Sequence, residues 1–232
     1  MQRVVVTGSS RGIGLEFVRQ LLARGERVIA ACRQPGKALK LTELAAAHPG
    51  RLQILALQLD NERSIRELAR EAAMLTDGLD LLINNAGVLV SGERLGELTA
   101  ATFMDTLATN AVGPLLLTQA LTALLERSST ARIVNISSDL GSLAATHAFH
   151  TPSYCMSKAA LNMATRLAAA ELDARGMVVI SMNPGWVKTD MGGARAPLTV
   201  AESVTGMLTV IDGLRAADNG RFLDHTGKGL DW

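Results

Sequence analysis

The sequence predicts a doubly wound α/β domain, a seven-stranded parallel sheet flanked by helices, and three observations carry that prediction. Short β-branched or Leu-rich runs alternate with longer helical patterns along the whole chain, the order of elements that gives a parallel sheet covered on both faces. The first such run leads at once into a glycine-rich loop that opens a helix, Thr7-Gly8-Ser9-Ser10-Arg11-Gly12-Ile13-Gly14. Aromatic residues make up 3% of the 232 residues while 48% are apolar. The core must therefore be built from Leu, Val, Ile, Ala and Met, which suits strands buried on both faces.

The strands are expected at 3–7 (Arg-Val-Val-Val-Thr), 27–31 (Arg-Val-Ile-Ala-Ala), 52–59, where Leu and Ile alternate with Gln and Ala, 79–84 ending in Asn, 132–137 ending in Ser, 178–183 (Val-Val-Ile-Ser-Met-Asn) and, more weakly, 220–223. Between them helical spacing predicts helices near 12–24, 37–47, 62–76, 100–126, 153–175 and 200–214. Right-handed crossovers then favour a doubly wound strand order. No linker composition and no internal repeat divides residues 1–232, so one dinucleotide-binding, Rossmann-type domain is expected. A Gly/Pro-rich stretch from Met191 to Pro197, after the sixth strand, predicts a short substrate lid near 188–198 at the carboxyl edge of the sheet.

Composition excludes several function classes. The net charge is +1 with no long single-sign run, so no nucleic-acid footprint is expected. The apolar runs are short or interrupted, under the roughly 20 residues a membrane span requires. No cationic leader precedes Val4-Val5-Val6, and two cysteines, Cys32 and Cys155, make no disulfide framework. A soluble cytoplasmic protein is expected.

The stretch Tyr154-Cys155-Met156-Ser157-Lys158 carries the chemistry. On a helix, residues four apart lie one turn apart on one face, so an ammonium stands beside a phenol. Tyr ionises near pH 10 and needs a neighbouring positive charge to act near neutrality. Lowering the phenol by about three units takes roughly 4 kcal/mol, more than one screened ammonium supplies, so a second cation is expected. An oxidised nicotinamide ring is such a cation, and the glycine loop is the kind of turn that brings backbone N–H groups and a helix N-terminus to a pyrophosphate. Its G-x-x-x-G-x-G spacing departs from the G-x-G-x-x-G fingerprint.

Cofactor choice is read at the second strand, which ends Ala30-Ala31-Cys32-Arg33 with no acid. A carboxylate there would repel a 2′-phosphate, whereas Arg11 and Arg33 can bind one through charge-assisted hydrogen bonds. NADP(H) is therefore expected over NAD(H). Asn84-Asn85-Ala86-Gly87 ends the fourth strand, where amides could bridge neighbouring strands and small residues let a cofactor lie close. Ser137-Ser138 ends the fifth, where a hydroxyl could reach the tyrosine.

Taken in order, these motifs resemble the short-chain dehydrogenase/reductase superfamily. Thr7 to Gly14 is similar to its T-G-x-x-x-G-I-G loop, Asn84 to Gly87 to its N-N-A-G, Asn110 to its helix asparagine, Ser138 to its serine, Tyr154 and Lys158 to its Y-x-x-x-K, and Pro184-Gly185 to its P-G before the nicotinamide contact at Thr189. The segment Pro184 to Gly193 and the ending Gly220 to Trp232 resemble the C-factor and sniffer-like carbonyl reductases in particular, a group that includes both reductases and developmental signalling proteins.

The resemblance implies Asn110, Ser138, Tyr154 and Lys158 as catalytic residues: Tyr154 protonating a carbonyl oxygen, Lys158 holding the nicotinamide ribose and lowering the phenol pKa, Ser138 orienting the substrate, Asn110 holding a relay water. It implies cofactor contacts from Gly8, Ser10, Arg11, Gly12, Ile13, Gly14, Arg33, Asp60, Asn84, Ala86, Gly87, Tyr154, Lys158, Pro184, Gly185, Val187 and Thr189. Ser138 lies 16 positions before Tyr154 (154 − 138), a longer spacing than many members show, and the added segment holds His147 and His150. Neither these nor Cys155 has further ligands at usable spacing, so no metal is expected. Val88, Leu140, Leu143, Phe149, Trp186 and Met191 would make an apolar pocket for a small or medium hydrophobic aldehyde or ketone. Apolar residues on 100–126 and 153–175 would also serve a homodimer. A signalling protein with incidental turnover is the competing expectation. An epimerase or dehydratase is disfavoured by the short substrate region.

Overall fold

The computed structural model describes residues 1–232, and its chain alternates strand and helix as the sequence predicts. The strands are β1 (Arg3–Thr7), β2 (Arg27–Cys32), β3 (Leu52–Ala56), β4 (Leu81–Asn84), β5 (Arg132–Ile136), β6 (Val178–Asn183) and β7 (Phe222–Asp224). The helices are α1 (Gly12–Ala23), α2 (Leu39–Ala47), α3 (Glu62–Leu75), α4 (Ala100–Leu107), α5 (Gly113–Leu125), α6 (Pro152–Leu172) and α7 (Val200–Gly213). All seven strands pair in parallel in the order β3-β2-β1-β4-β5-β6-β7. The order reverses between β1 and β4, the switch point at whose carboxyl edge ligands bind in open α/β sheets.

Side chains alternate across the sheet. Val4, Val6, Val28, Ala30, Leu81 and Ile83 pack with α1, α2 and α7 on one face. Val5, Ile29, Leu82, Ile133 and Val179 pack with α3, α5 and α6 on the other. Helices α1, α3, α5, α6 and α7 each turn an apolar stripe inward, and the burial of those stripes is the main driving force.

Two element boundaries differ from expectation for one reason. Strand β3 stops at Ala56 and β4 begins only at Leu81, yet Leu57, Leu59 and Leu79 are buried against α3 and α5. Core-facing loop residues carry the same apolar pattern as a strand, so the sequence reading ran on through them.

The stretch expected as one helix over 100–126 is broken by a π-helical turn, Ala108–Val112. Pro114 explains it: in α-helical register the N–H at 114 would bond the carbonyl of Asn110, and proline has none. By length and composition alone Ala100–Leu125 is apolar enough to cross a membrane, longer than the sequence reading allowed. It is a core helix here, with Leu117, Leu121 and Leu125 fully buried against the sheet.

At the amino edge of the sheet Arg3 donates its backbone N–H, Nε and Nη2 to Asp80 at 2.8, 2.9 and 2.8 Å, joining β1 to β4. That guanidinium, with Ser128 and the Arg3 amide, holds the Asp80 carboxyl down at about 2 against the opposing effect of burial.

Candidate active site

The glycine loop leaves β1 and folds directly onto the exit of β4. Gly8 has φ +65, and a Cβ there would stand 2.7 Å from Ala86 Cα. At Gly14 a Cβ would stand 2.3 Å from the Gly8 carbonyl oxygen, so both positions exclude a side chain. Thr7 Oγ1 accepts the N–H groups of Asn85 and Ala86, each at 3.0 Å, and Asn85 Nδ2 donates to the Thr7 carbonyl at 2.9 Å. The loop thus leads into α1, whose N-cap residue Arg11 makes no side-chain cap. Its first-turn N–H groups are left to a ligand, and the positive end of the helix favours an anion. This glycine cradle fits the pyrophosphate of a dinucleotide.

The remaining expected cofactor contacts are mostly brought to the same edge. Ser10, Gly12 and Ile13 line the loop, half-buried. Pro184 accepts a hydrogen bond from Ser203 Oγ at 2.7 Å, and Gly185 N–H bonds Asn183 Oδ1 at 3.1 Å. Val187 is buried and bridged to Leu198, and Thr189 Oγ1 accepts Gly192 N–H at 3.0 Å. The Thr189 methyl reaches within 3.6 Å of the Cβ direction at Gly12, so the segment after β6 lies across the glycine loop. Asp60 is exposed in the turn after β3.

The two expected arginine contacts stand in different surroundings. Arg11 forms an ion pair with Asp190, across the cleft in the lid segment, so its guanidinium is shared with a carboxylate. Arg33, exposed after β2, instead borders a cavity of about 390 Å³ that Arg63, Gln58, Asn61 and Ser64 also line. Arg63 is thus a second guanidinium at that cavity. Asn84 is 1% exposed, its Nδ2 donating to Asn135 Oδ1 at 2.8 Å and Thr118 Oγ1 at 3.4 Å, while its Oδ1 is buried without a partner. The expected amide bridge between neighbouring strands is present, the β4 pleat turning the Asn84 side chain inward.

Asn110, Ser138, Tyr154 and Lys158 converge beside this cradle. Tyr154 stands in the first turn of α6, 7% exposed, and burial pushes its phenol up to about 12, opposed by the Ser138 hydroxyl and reinforced by Asp139. Lys158 is buried one turn on; its Nζ donates to the Ile136 carbonyl at 2.7 Å and lies 5.5 Å from the Tyr154 ring centroid. Burial brings its ammonium down to about 8. In the protein alone desolvation therefore outweighs the effect of Lys158 on Tyr154, opposite to the lowered phenol expected from the pair, and the need for a second cation stands.

The serine question is answered by burial. Ser137 Oγ donates to Asn162 Oδ1 at 2.7 Å inside the core, whereas Ser138 is half-buried and faces the phenol side, its hydroxyl donating to Asp139 Oδ1 at 3.0 Å and accepting Leu140 N–H at 3.2 Å. Asn110 is fully buried in the π-helical turn. Its Oδ1 accepts Val88 N–H at 2.8 Å, and its Nδ2 donates to Val88 O at 2.8 Å and Ser157 Oγ at 2.9 Å. The side chain is thus committed to protein, and the group left for a relay water is its main-chain carbonyl, the one Pro114 cannot bond. Gly87 lies against both Asn110 Oδ1 and Lys158 Nζ.

Around the opening Leu140, Leu143, Phe149, Trp186 and Met191 are exposed and Val88 is half-buried, an apolar rim and not a closed pocket. Trp186 Nε1 donates to Gly192 O at 2.8 Å, fixing the lid turn. His150 Nδ1 meets Thr151 Oγ1 at 3.0 Å, Cys155 Sγ donates to His150 O at 3.1 Å, and no three His, Cys, Asp or Glu side chains are grouped to hold a metal.

Sequence reasoning missed Ser157, Asn85 and Asp190. Ser157 had a signal, a hydroxyl three residues from Tyr154 on the same helix face. Asp190 had none, because its partner is 179 positions away.

The comparisons agree with this geometry. Residues 2–197 match the short chain dehydrogenase family. C-signal of Myxococcus xanthus is 44% identical over 157 residues, covering 68% of this chain and 95% of that protein. The NADPH-bound carbonyl reductase from chicken fatty liver superposes with a TM-score of 0.95 at 39% identity, over 100% of this chain and 99% of that one. The carbonyl reductase Sniffer of D. melanogaster superposes with a TM-score of 0.96 at 33% identity, over 100% of both chains. With its parallel sheet, its glycine cradle and this similarity along its length, the chain belongs to the short-chain dehydrogenase family, among oxidoreductases related to carbonyl reductases.

Proposed function

We propose that the chain is an NADPH-dependent reductase of small or medium hydrophobic aldehydes and ketones, running in reverse as an alcohol oxidation. The observation that carries this is a buried phenol and a buried ammonium one helical turn apart, set beside a side-chain-free glycine cradle. A regulatory binding module has no physical need for such a pair.

When bound, the dinucleotide supplies or accepts a hydride at carbon. Ser138 would hold the carbonyl oxygen, and Tyr154 would donate its phenolic proton to that oxygen as negative charge develops on it. A phenol held near 12 is fully protonated at neutral pH, and an alkoxide is a strong enough base to take its proton. The Lys158 ammonium would steady the phenolate left behind. The Asn110 carbonyl would orient the water through which solvent reprotonates it. The apolar rim favours a hydrophobic carbonyl over a phosphorylated one. Arg33, with Arg63 across the cavity, supports NADP(H) over NAD(H). We further propose a cytoplasmic protein, and a homodimer through the apolar residues left exposed on α4 to α6, Met104, Val112, Leu115, Met163 and Leu167, checked by sedimentation.

The test is NADPH consumption over a panel of carbonyl compounds. Turnover is expected, and Tyr154→Phe is expected to lower it by about 10²–10⁴-fold while NADPH binds as before. The similarity to C-signal favours a second reading, a signalling protein that binds the dinucleotide with incidental turnover. NADPH binding without turnover on any compound would select it. A parallel NADH titration with equal affinity would remove the argument from Arg33.

A further inference from the structure

We propose that Glu93 is a positioning residue of the site: it caps the helix that carries Tyr154 from a loop on the far side of the cleft, and so fixes where the phenol stands. The inference rests on the reductase reading for its kinetic part only.

Helix α6 begins badly by local rules. A helix needs partners for its first N–H groups, and its N-cap residue normally supplies one. Here the N-cap is Thr151, which makes no side-chain cap and sits in the left-handed region at φ 38, ψ 57. It is the single non-glycine residue of the chain with positive φ. For a β-branched residue that conformation is a genuine, strained outlier, and it persists where the surroundings over-determine it. Three residues on, at Tyr154, the structure needs its greatest precision.

Glu93, in the loop between β4 and α4, supplies what Thr151 does not. Its Oε2 accepts Ser153 Oγ at 2.8 Å and Ser153 N–H at 3.3 Å, 60 residues away along the chain. A carboxylate at a helix N-terminus also meets the positive end of the macrodipole. Its second oxygen, Oε1, is buried with no hydrogen-bond partner. An acid with no task would turn that oxygen to water, since leaving a polar atom buried and unpaired is costly. Ser153 itself is fully buried, so the contact cannot be replaced by solvent.

The same loop is stitched to the same helix a second time, deeper in: Val88 holds Asn110, Asn110 Nδ2 reaches Ser157 Oγ, and Ser157 Oγ donates to the Tyr154 carbonyl at 2.7 Å. Tyr154 is thereby clamped between Ser153 on one side and Ser157 on the other, both tied to the β4–α4 loop. Without Glu93 the outer tie is gone and the strained turn at Thr151 is free to relax, taking the first turn of α6 with it.

The test compares Glu93→Ala, Glu93→Gln, Ser153→Ala and the Glu93→Ala/Ser153→Ala pair with the parent protein. Glu97→Ala serves as a charge control in the same exposed loop. In the unloaded protein, hydrogen exchange at the amides of residues 153–155 is expected to speed up in Glu93→Ala and to stay slow in Glu93→Gln, which keeps an acceptor oxygen. In turnover, Glu93→Ala is expected to lower kcat by about tenfold with NADPH affinity unchanged, as a small misplacement of a reacting group does. Glu93→Gln should restore most of kcat, and the double variant should be no worse than the weaker single one. Parent-like exchange and kcat in Glu93→Ala would overturn the proposal, as would additive losses in the pair or equal losses in Glu97→Ala. If Glu93→Ala does not fold, Glu93→Gln and Ser153→Ala decide in the same way. If the parent turns over no carbonyl, the reductase reading fails and the exchange experiment alone judges Glu93.

Discussion

Burial acts on Tyr154 and Lys158 in opposite directions, and the pair should therefore write its own signature on stability. Lys158 falls to about 8 from 10.5 in the folded protein, so between those values the unfolded chain holds a proton that the native chain has lost. Stability then rises with pH through that window and its contribution disappears as pH falls through 8, on the order of 3 kcal/mol in all. Tyr154 rises to about 12 from 10.0, so its contribution is complete below pH 10 and is lost as pH climbs from there to 12. Thermal melts of the protein alone should peak near pH 10. Lys158→Met, which removes a buried ammonium that has only the Ile136 carbonyl for a partner, should abolish the rise between 8 and 10 and raise stability at neutral pH, at the cost of turnover. A flat profile in the parent would contradict the assignment of Lys158 as a desolvated amine.

At the scale of elements, the break between α4 and α5 matters more than the helices it separates. The π-helical turn puts Asn110 where it can hold both the N–H and the C=O of Val88 and reach Ser157, and Pro114 enforces it. Pro114→Ala gives the Asn110 carbonyl its missing donor, and the helix is expected to close into continuous α-helix. Turnover should then fall by about tenfold while overall helicity by circular dichroism is kept; unchanged turnover would sink the role given to the turn. The strand and helix sequence itself was legible from apolar periodicity, because the inner strands β1, β2, β4, β5 and β6 are buried on both faces and most helices carry one inward stripe. The glycine loop and the Tyr154/Lys158 pair were legible because they are local, set by spacing within one turn or one loop. What was not legible is what depends on fold-scale juxtaposition: Asp190 on Arg11 and Glu93 on Ser153. The break at Asn110 had a signal in Pro114 four residues on, but proline is equally at home in the first turn of a new helix.

Across the whole molecule the two edges of the sheet have separate tasks. The candidate site residues gather at the carboxyl ends of the strands, on the π-helical turn and on α6, while the opposite edge carries the ion pair of Arg3 and Asp80, with Ser128 donating to Asp80 Oδ1 at 2.7 Å. Asp80 is only 14% exposed and Arg3 29%, so solvent screens the pair less than the ion pairs on the outer helices. The Asp80 carboxyl lies at about 2, down from 3.8. A depressed carboxyl stabilises the fold above its unfolded value and stops doing so as pH falls through the folded one. The contribution, about 2 kcal/mol, should be complete above pH 4 and lost between 4 and 2. Asp80→Asn keeps the shape but not the charge, so acid unfolding of this variant should begin from a lower stability and show a shallower slope over that interval. Turnover at neutral pH per folded molecule should be unchanged, because nothing at the carboxyl edge touches the pair. A variant that loses activity in proportion to stability would mean that the amino edge sets the register of β1 against β4 as far as the glycine loop.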